Sequence, residues 1–531
     1  MTEPIAWTHR RPGVVTWMWF SLAMIGAGVL HQLGMIPLVG WAPRPFDDDR
    51  VPAMIALVIA AHGAYLAAPP AWRVRALLGG SLVAWAVVSP AMLIIGVPWV
   101  LGFRALAWSG RRPAWSMAYI VGTLLALLVL ADAAHAPRRV ATHPWLWIVA
   151  YSFALGWFLR ALVVWHEARI GGPRPSVRDL LTYFFFAPFA LVPPYMLALP
   201  KLALVTAGVD ARDLTVVRSG LRWLGYGVAV QLTLWAATRL GVDPQGLFID
   251  ALRAGDWPRA IPLALVVYPV RAVFEACGAG ALVLGMVRSF GVPMAPAFDR
   301  PLLARDVADW WRRYNTHFRA LLIDLFWTPV AMRLRRHPIA AGYLGCAVVF
   351  VLGSAPLHWP KQAALHASPW TFPWSTLAES AIMTALVGTA LAIERRRGRR
   401  REVPGPVRAW TQRAGTWALV CGAILAVGYQ LDYRVRIAPW ERAAAAAHAV
   451  ESPAEAVALV PALESAVDER PTDPVRRATL ARVLVTAGRP DAAWRQLALA
   501  TAFATHQSLA DARLLARRAP SRPHLFPRST P

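Results

Sequence analysis

The chain has 531 residues, 57% of them hydrophobic, with 55 Lys and Arg against 30 Asp and Glu, for a net charge of +25. Apolar runs of roughly eighteen or more residues recur along it, which excludes an ordinary soluble enzyme and predicts transmembrane helices. The basic excess does not point to nucleic acid: no RNA- or DNA-binding motif accompanies it, and the arginines sit mostly in short loops, where the positive-inside rule and anionic headgroups favour them. The 26 tryptophans suit membrane interfaces. Cys277, Cys346 and Cys421 each lie in an apolar run, with neither metal spacing nor a disulfide framework.

In chain order, His9, Arg10 and Arg11 precede an apolar run from about Val14 to Trp41. It is too long for a signal peptide and lacks a clear small-residue cleavage site, so an uncleaved first span is expected. Asp47 to Asp49 then fall on the outer side, and a second span, about Val51 to Ala68, returns to Arg73 and Arg75. From Ala76 to Ala107 breaks are expected at Pro90 and Pro98. Spans follow near 114–132 and 145–165, then a Gly/Pro-rich loop and an aromatic helix broken by Pro188, Pro193 and Pro194. Next come spans near 219–241 and 259–289. Arg271 and Glu275 in the latter stand one turn apart, a spacing that serves self-neutralisation as well as function.

Between Ala297 and Met332 the pattern changes: Asp306, Asp309, Arg312, Arg313, Asn315, His317, Arg319 and Asp324 crowd together. Pro301 and Pro329 bracket one predicted helix, Leu303 to Thr328, in which Asp309 reaches Arg313 at i+4. At about 100° per residue, Trp311, Asn315, Phe318 and Leu322 share a face. Two readings fit: an amphipathic connector on the headgroups, or a helix beside a cavity whose charges mark function. Arg333, Arg335 and Arg336 mark another inner loop, followed by spans near 338–356, 371–393 and 414–431. Six arginines between Arg395 and Arg401 are the strongest cytoplasmic signal. The expected domains are therefore a polytopic region over 1–435, a helical extramembrane region over 436–515 and a basic tail over 516–531. Within the helical region, Asp473 to Ala502 predicts two amphipathic helices joined at Gly-Arg-Pro-Asp, readable as one tetratricopeptide-type unit or as a generic hairpin.

Three blocks resemble the membrane-bound O-acyltransferases, nearest the bacterial branch that includes alginate acetylation proteins and the teichoic-acid D-alanylation membrane protein. They are DLLTYFFFAPFALVPPYM (Asp179 to Met196), Tyr268 to Leu303 with its Pro turn, and DVADWWRRYNTHFRALLIDLFWTPV (Asp306 to Val330). Trp311-Arg312-Arg313-Tyr314-Asn315 is the most specific match, and the likeness covers roughly Trp165 to Trp359. The chain departs from the family pattern where bacterial members often carry His, here Asn315, and where an Arg precedes the family Asp, here Ile323 before Asp324. It departs most around the family histidine, where Trp359 follows His358 instead of preceding it.

The resemblance implies an all-α polytopic bundle of about ten to twelve transmembrane helices with a small helical C-terminal region. It implies acyl transfer to a hydroxyl of a cell-envelope glycan, lipid or secreted metabolite, with His358 as base and Asn315 as its partner. His366 and His317 are the next candidates for the base. Trp311, Arg312, Arg313 and Asp324 would bind substrate, though positive-inside anchoring is the simpler account of the two arginines. No bound cofactor or metal is expected, and an acyl donor (acyl-CoA or an acyl carrier thioester) would be co-substrate. The expected partners are membrane lipid and envelope-modification proteins, and not nucleic acid. A catalytically impaired scaffold of the same fold, or an unrelated transporter, fits the same composition. A transporter, however, is expected to carry an internal repeat, and none is visible.

Overall fold

In the computed structural model the described residues are 12–32, 51–88, 90–109, 113–135, 149–150, 152–191, 199–240, 247–248, 250–251, 254–263, 265, 268–354, 356–358, 374–397, 406–423, 438–469 and 474–503. Among them the chain is helical throughout, without a strand. The helices used below are α1 (Pro12–Gln32), α2 (Val51–Ala67), α3 (Arg73–Val88), α4 (Pro90–Ala107), α5 (Pro113–His135), α6 (Phe158–Arg169), α7 (Val177–Phe184), α8 (Leu202–Ala211), α9 (Leu214–Arg239) and α10 (Tyr268–Ser289). They continue with α11 (Val307–Arg313), α12 (Thr316–Leu322), α13 (Pro338–Ala347), α14 (Trp374–Arg397) and α15 (Pro406–Trp417). Four more close the chain: α16 (Ala438–Ala449), α17 (Pro453–Glu469), α18 (Pro474–Thr486) and α19 (Pro490–Phe503).

Among the described residues, five helical stretches are long and apolar enough to cross a membrane: Gly13–Leu30, Pro90–Ala107, Pro113–Leu130, Pro338–His358 and Leu377–Glu394. Pro52–Ala67, Leu202–Ala211 and Ala276–Ser289 are apolar but shorter. The chain is thus a helical membrane protein by length and composition. Of the other expected spans, the one near 219–241 is a continuous helix, Leu214–Arg239, that is less apolar than these five, and the rest are shorter, interrupted or outside the described residues. Exposed Trp19, Leu22, Ile94, Trp115 and Leu130 on these helices are what lipid-facing surfaces need.

One expected break does not occur. Pro98 lies inside α4, and only the boundary at Pro90 divides the 76–107 stretch. A membrane helix tolerates the lost amide bond because neighbouring groups satisfy the freed carbonyl. Pro193, Pro194 and the aspartates at 47–49 lie outside the described residues, as do the side chains of Arg271 and Glu275.

α9 and α10 run antiparallel and pack through glycine. A Cβ on Gly220 would stand 2.5 Å from the Ser289 amide nitrogen and 2.7 Å from the Gly285 carbonyl oxygen, and one on Gly227 would stand 2.8 Å from Leu282. Such small-residue contacts let backbones approach where lipid offers no hydrophobic drive. The obstacle at Gly220 is backbone, which cannot swing aside. Gly220→Ala is therefore expected to cost about 1–3 kcal/mol, read as a lowered melting temperature of the detergent-purified protein, while Gly225→Ala, with nothing within 4 Å, leaves it unchanged.

The C-terminal region holds two helical pairs where the sequence predicts one. α18 and α19 are the expected hairpin, turning at Gly488 with φ 73°, and α16 and α17 precede them. Ala447, Ala456, Leu463, Leu480, Leu484 and Ala493 share one small core. The basic tail lies outside the described residues.

Candidate functional site

The polar stretch is not one helix. Asp306 caps α11 by accepting from the Asp309 amide at 2.7 Å, and the helix closes at Tyr314. Asn315 then takes the left-handed conformation, φ 46° and ψ 59°, which Asn tolerates better than most residues. Its Oδ1 accepts from the Phe318 amide at 3.4 Å and starts α12. The backbone groups freed at this break pair with the preceding loop. The Asp299 amide donates to the Arg313 carbonyl at 2.9 Å, and the Thr316 amide donates to the Ala297 carbonyl at 2.8 Å. Thr316 Oγ1 donates to the Pro296 carbonyl, and His317 Nε2 donates to that of Ala295, each at 2.8 Å.

After α12 a π-turn, Ile323–Trp327, widens the helix again before Thr328–Arg333. The continuous helix from Leu303 to Thr328 and its four-residue face are thus replaced by two short helices with a reset register. Trp311 packs edge-on against Phe350 at 4.7 Å between ring centroids, while Phe318 turns to His358.

His358 ends the Pro338–His358 run. Its Nδ1 lies 2.7 Å from the Ser354 carbonyl oxygen and 3.3 Å from Ser354 Oγ. A carbonyl only accepts, so Nδ1 carries a proton; in the neutral ring the lone pair is then on Nε2, the tautomer a base acting through Nε2 requires. The ring meets buried Phe318 at 5.4 Å and 89°. Asn315 accepts from the backbone amide of the same Phe318, so the two residues touch different parts of it, His358 its ring and Asn315 its main chain. His317 is tied to the Ala295 carbonyl, and His366 lies outside the described residues.

The substrate-binding set divides. Trp311 and Arg312 line a cavity of about 160 Å³ with Arg319, Trp327, Cys346 and Phe350, and the Arg312 guanidinium forms an ion pair with Glu394 at the end of α14's apolar stretch. Arg313, the next residue and about 100° round the helix, instead pairs with Asp309 at 3.0 Å and donates to the Asp299 carbonyl at 3.4 Å. It braces the break and does not line that cavity. Asp324, in the π-turn, acts electrostatically on His166: burial lowers that imidazole from its ordinary range, and the Asp324 carboxylate pulls it back up in part. Glu394, Ser354 and His166 were not legible as site residues. The only signal for Glu394 is its position as the last acid before the arginine run, 82 residues from its partner.

The ion pair makes a test. Arg312→Glu leaves two acids facing each other at a membrane helix end and is expected to lower accumulation clearly; Glu394→Arg combined with it is expected to restore most of it, measured as folded protein by size exclusion. No rescue by the double exchange removes the pair as a structural contact.

No protein-family model matches the chain, and no curated protein matches it.

Proposed function

We propose that this chain is a multi-pass O-acyltransferase of the bacterial inner membrane, similar to the membrane-bound O-acyltransferases, which moves an acyl group to a hydroxyl of an envelope glycan, lipid or secreted metabolite. The observation that carries the reading is the seating of His358: Nδ1–H is anchored on the Ser354 carbonyl, and its ring is packed by Phe318, whose backbone amide Asn315 caps. In the proposed reaction His358 Nε2 takes the acceptor hydroxyl's proton. The alkoxide attacks the thioester carbonyl, and the departing thiolate is protonated in turn. The Asn315 amide N–H groups, its oxygen being committed to the helix cap, orient the substrate or the developing oxyanion. Trp311 and Arg312 line the 160 Å³ cavity and would receive the donor. In the proposed topology ten to twelve spans put the N-terminus and the loops bearing Arg333–Arg336 and Arg395–Arg401 in the cytosol. The C-terminal helices then face the periplasm, open to envelope-modification partners. Alkaline phosphatase fused after Leu431 is expected to be active and near Gly398 inactive.

The testing experiment is the mass of envelope polymers and lipids with and without the gene: loss of a fixed acyl increment in the deletion, restored by the wild-type chain, is the expected result. A scaffold of the same fold is the second reading, favoured by one observation: Asn315 already has a structural role as a helix cap. Asn315→Asp separates the two. Asp caps a helix as well as Asn but brings no amide N–H. Under the catalytic reading Asn315→Asp accumulates normally and turns over at least tenfold more slowly; under the scaffold reading it supports full modification.

A further inference from the structure

A larger cavity, about 570 Å³, lies beside the α9–α10 pair, apart from the Trp311–Arg312 cavity. Val273, Phe274, Ala281 and Leu284 of α10 give it apolar walls, and Trp223 and Tyr226 of α9 flank it. From Val273 to Leu284 it follows α10 for about 16 Å at 1.5 Å per residue. Arg222 of α9 and Arg300 of the loop after α10 both line the cavity, and that loop folds back along α10, so that the Phe298 ring stands 3.1 Å from where a Cβ on Gly280 would be. Both are exposed, and among the described residues neither side chain has an ion-pair or hydrogen-bond partner. Arg300 also holds φ 47° immediately before Pro301, where a residue with a Cβ is strained and a pre-proline residue is further restricted.

An apolar cavity along a pair of packed helices, with two unneutralised guanidinium groups in its lining, is complementary to one class of molecule. We infer that this cavity binds an anionic membrane phospholipid, an acyl chain lying along α10 and the phosphate between Arg222 and Arg300. A guanidinium matches phosphate oxygens through paired N–H groups, the flanking indole and phenol suit the headgroup level, and basic pockets between spans are where acidic headgroups lodge. The inference does not rest on acyl transfer.

The test is native mass spectrometry of the full chain in neutral detergent, titrated with dioleoyl-phosphatidylglycerol or dioleoyl-phosphatidylcholine. The wild-type chain is expected to retain phosphatidylglycerol in preference to phosphatidylcholine by on the order of ten- to thirtyfold, from two headgroup contacts. Arg222→Ala and Arg300→Gly should each reduce that preference, and the double variant should abolish it. Arg300→Gly also relieves the left-handed backbone, so its melting temperature should match or exceed wild type, separating lost binding from lost folding. Equal retention of the two lipids by wild type overturns the proposal, as does an undiminished preference in the double variant. Displacement of phosphatidylglycerol by equimolar palmitoyl-CoA overturns it too, by assigning the cavity to an acyl donor. Since nothing in the readout depends on turnover, an inactive enzyme with intact lipid preference would count against acyl transfer alone.

Discussion

His358→Ala is expected to abolish the acylated product while the protein accumulates in the membrane at the wild-type level. Removing a general base costs about 10² to 10⁴ in rate, below detection for most envelope assays. The fold should survive because the side chain is only partly buried and its anchor, the Ser354 carbonyl, belongs to a π-turn already in place at Val348–Ser354. Ser354→Ala is the informative companion. It removes the hydroxyl at 3.3 Å but leaves the carbonyl at 2.7 Å, so the tautomer is kept and the rate should fall little. Phe318→Leu keeps an apolar side chain but loses the ring edge against the imidazole, and should raise KM or lower kcat modestly by loosening the base. If His358→Ala retains full product, base catalysis at this position is excluded. If His366→Ala or His317→Ala is then the dead variant, the acyl-transfer reading stands with another residue as base.

How much of this was legible in the sequence follows from what each feature depends on. Span existence depends on local apolar content, so the first helix, the α13 span and the α14 span come out where hydropathy puts them. The i+4 pair Asp309–Arg313 is local too, and forms as expected. The break at Asn315 depends on a tertiary event, the loop at 295–299 arriving to take the freed backbone groups, which a periodicity count over residues 303–328 does not contain. Pro98 makes the opposite point: the local rule demands a break, and membrane packing overrides it. Long-range partners leave the weakest trace. Nothing in the run around Glu394 names Arg312, and nothing in the central stretch names His166. His358 was legible through family resemblance alone, and its orientation by Ser354 only through geometry.

The residue most completely missed is Arg160. In the sequence it is one charge in the span near 145–165, whereas in the structure it is fully buried and central to the family-like aromatic block. Its Nε donates to the Gly156 carbonyl at 2.5 Å, in the π-turn Phe153–Trp157, and its two terminal nitrogens donate to the Tyr183 and Phe184 carbonyls at 2.6 and 2.9 Å. Those last two are C-terminal carbonyls of α7, which have no intrahelical partner of their own. The faces of Tyr183, Phe184 and Phe189 surround the guanidinium at 4.6 to 5.7 Å. Carbonyl dipoles and ring quadrupoles thus do the work of a counter-ion. Hydrogen bonds to a charged group contribute about 1.5–3 kcal/mol each, and total stability is only about 5–15 kcal/mol. Arg160→Ala is therefore expected to remove most of the folded protein from the membrane, where His358→Ala removes none. Arg160→Met should fare only slightly better: it refills volume and abolishes the buried charge but leaves the Tyr183 and Phe184 carbonyls unpaired. Arg160→Lys keeps the charge on a single nitrogen that cannot span both helices, and should melt measurably lower than wild type. Accumulation and melting temperature of all three by fluorescence-detected size exclusion give the check. Wild-type behaviour of Arg160→Ala would mean that water or lipid, and not this side chain, satisfies the end of α7.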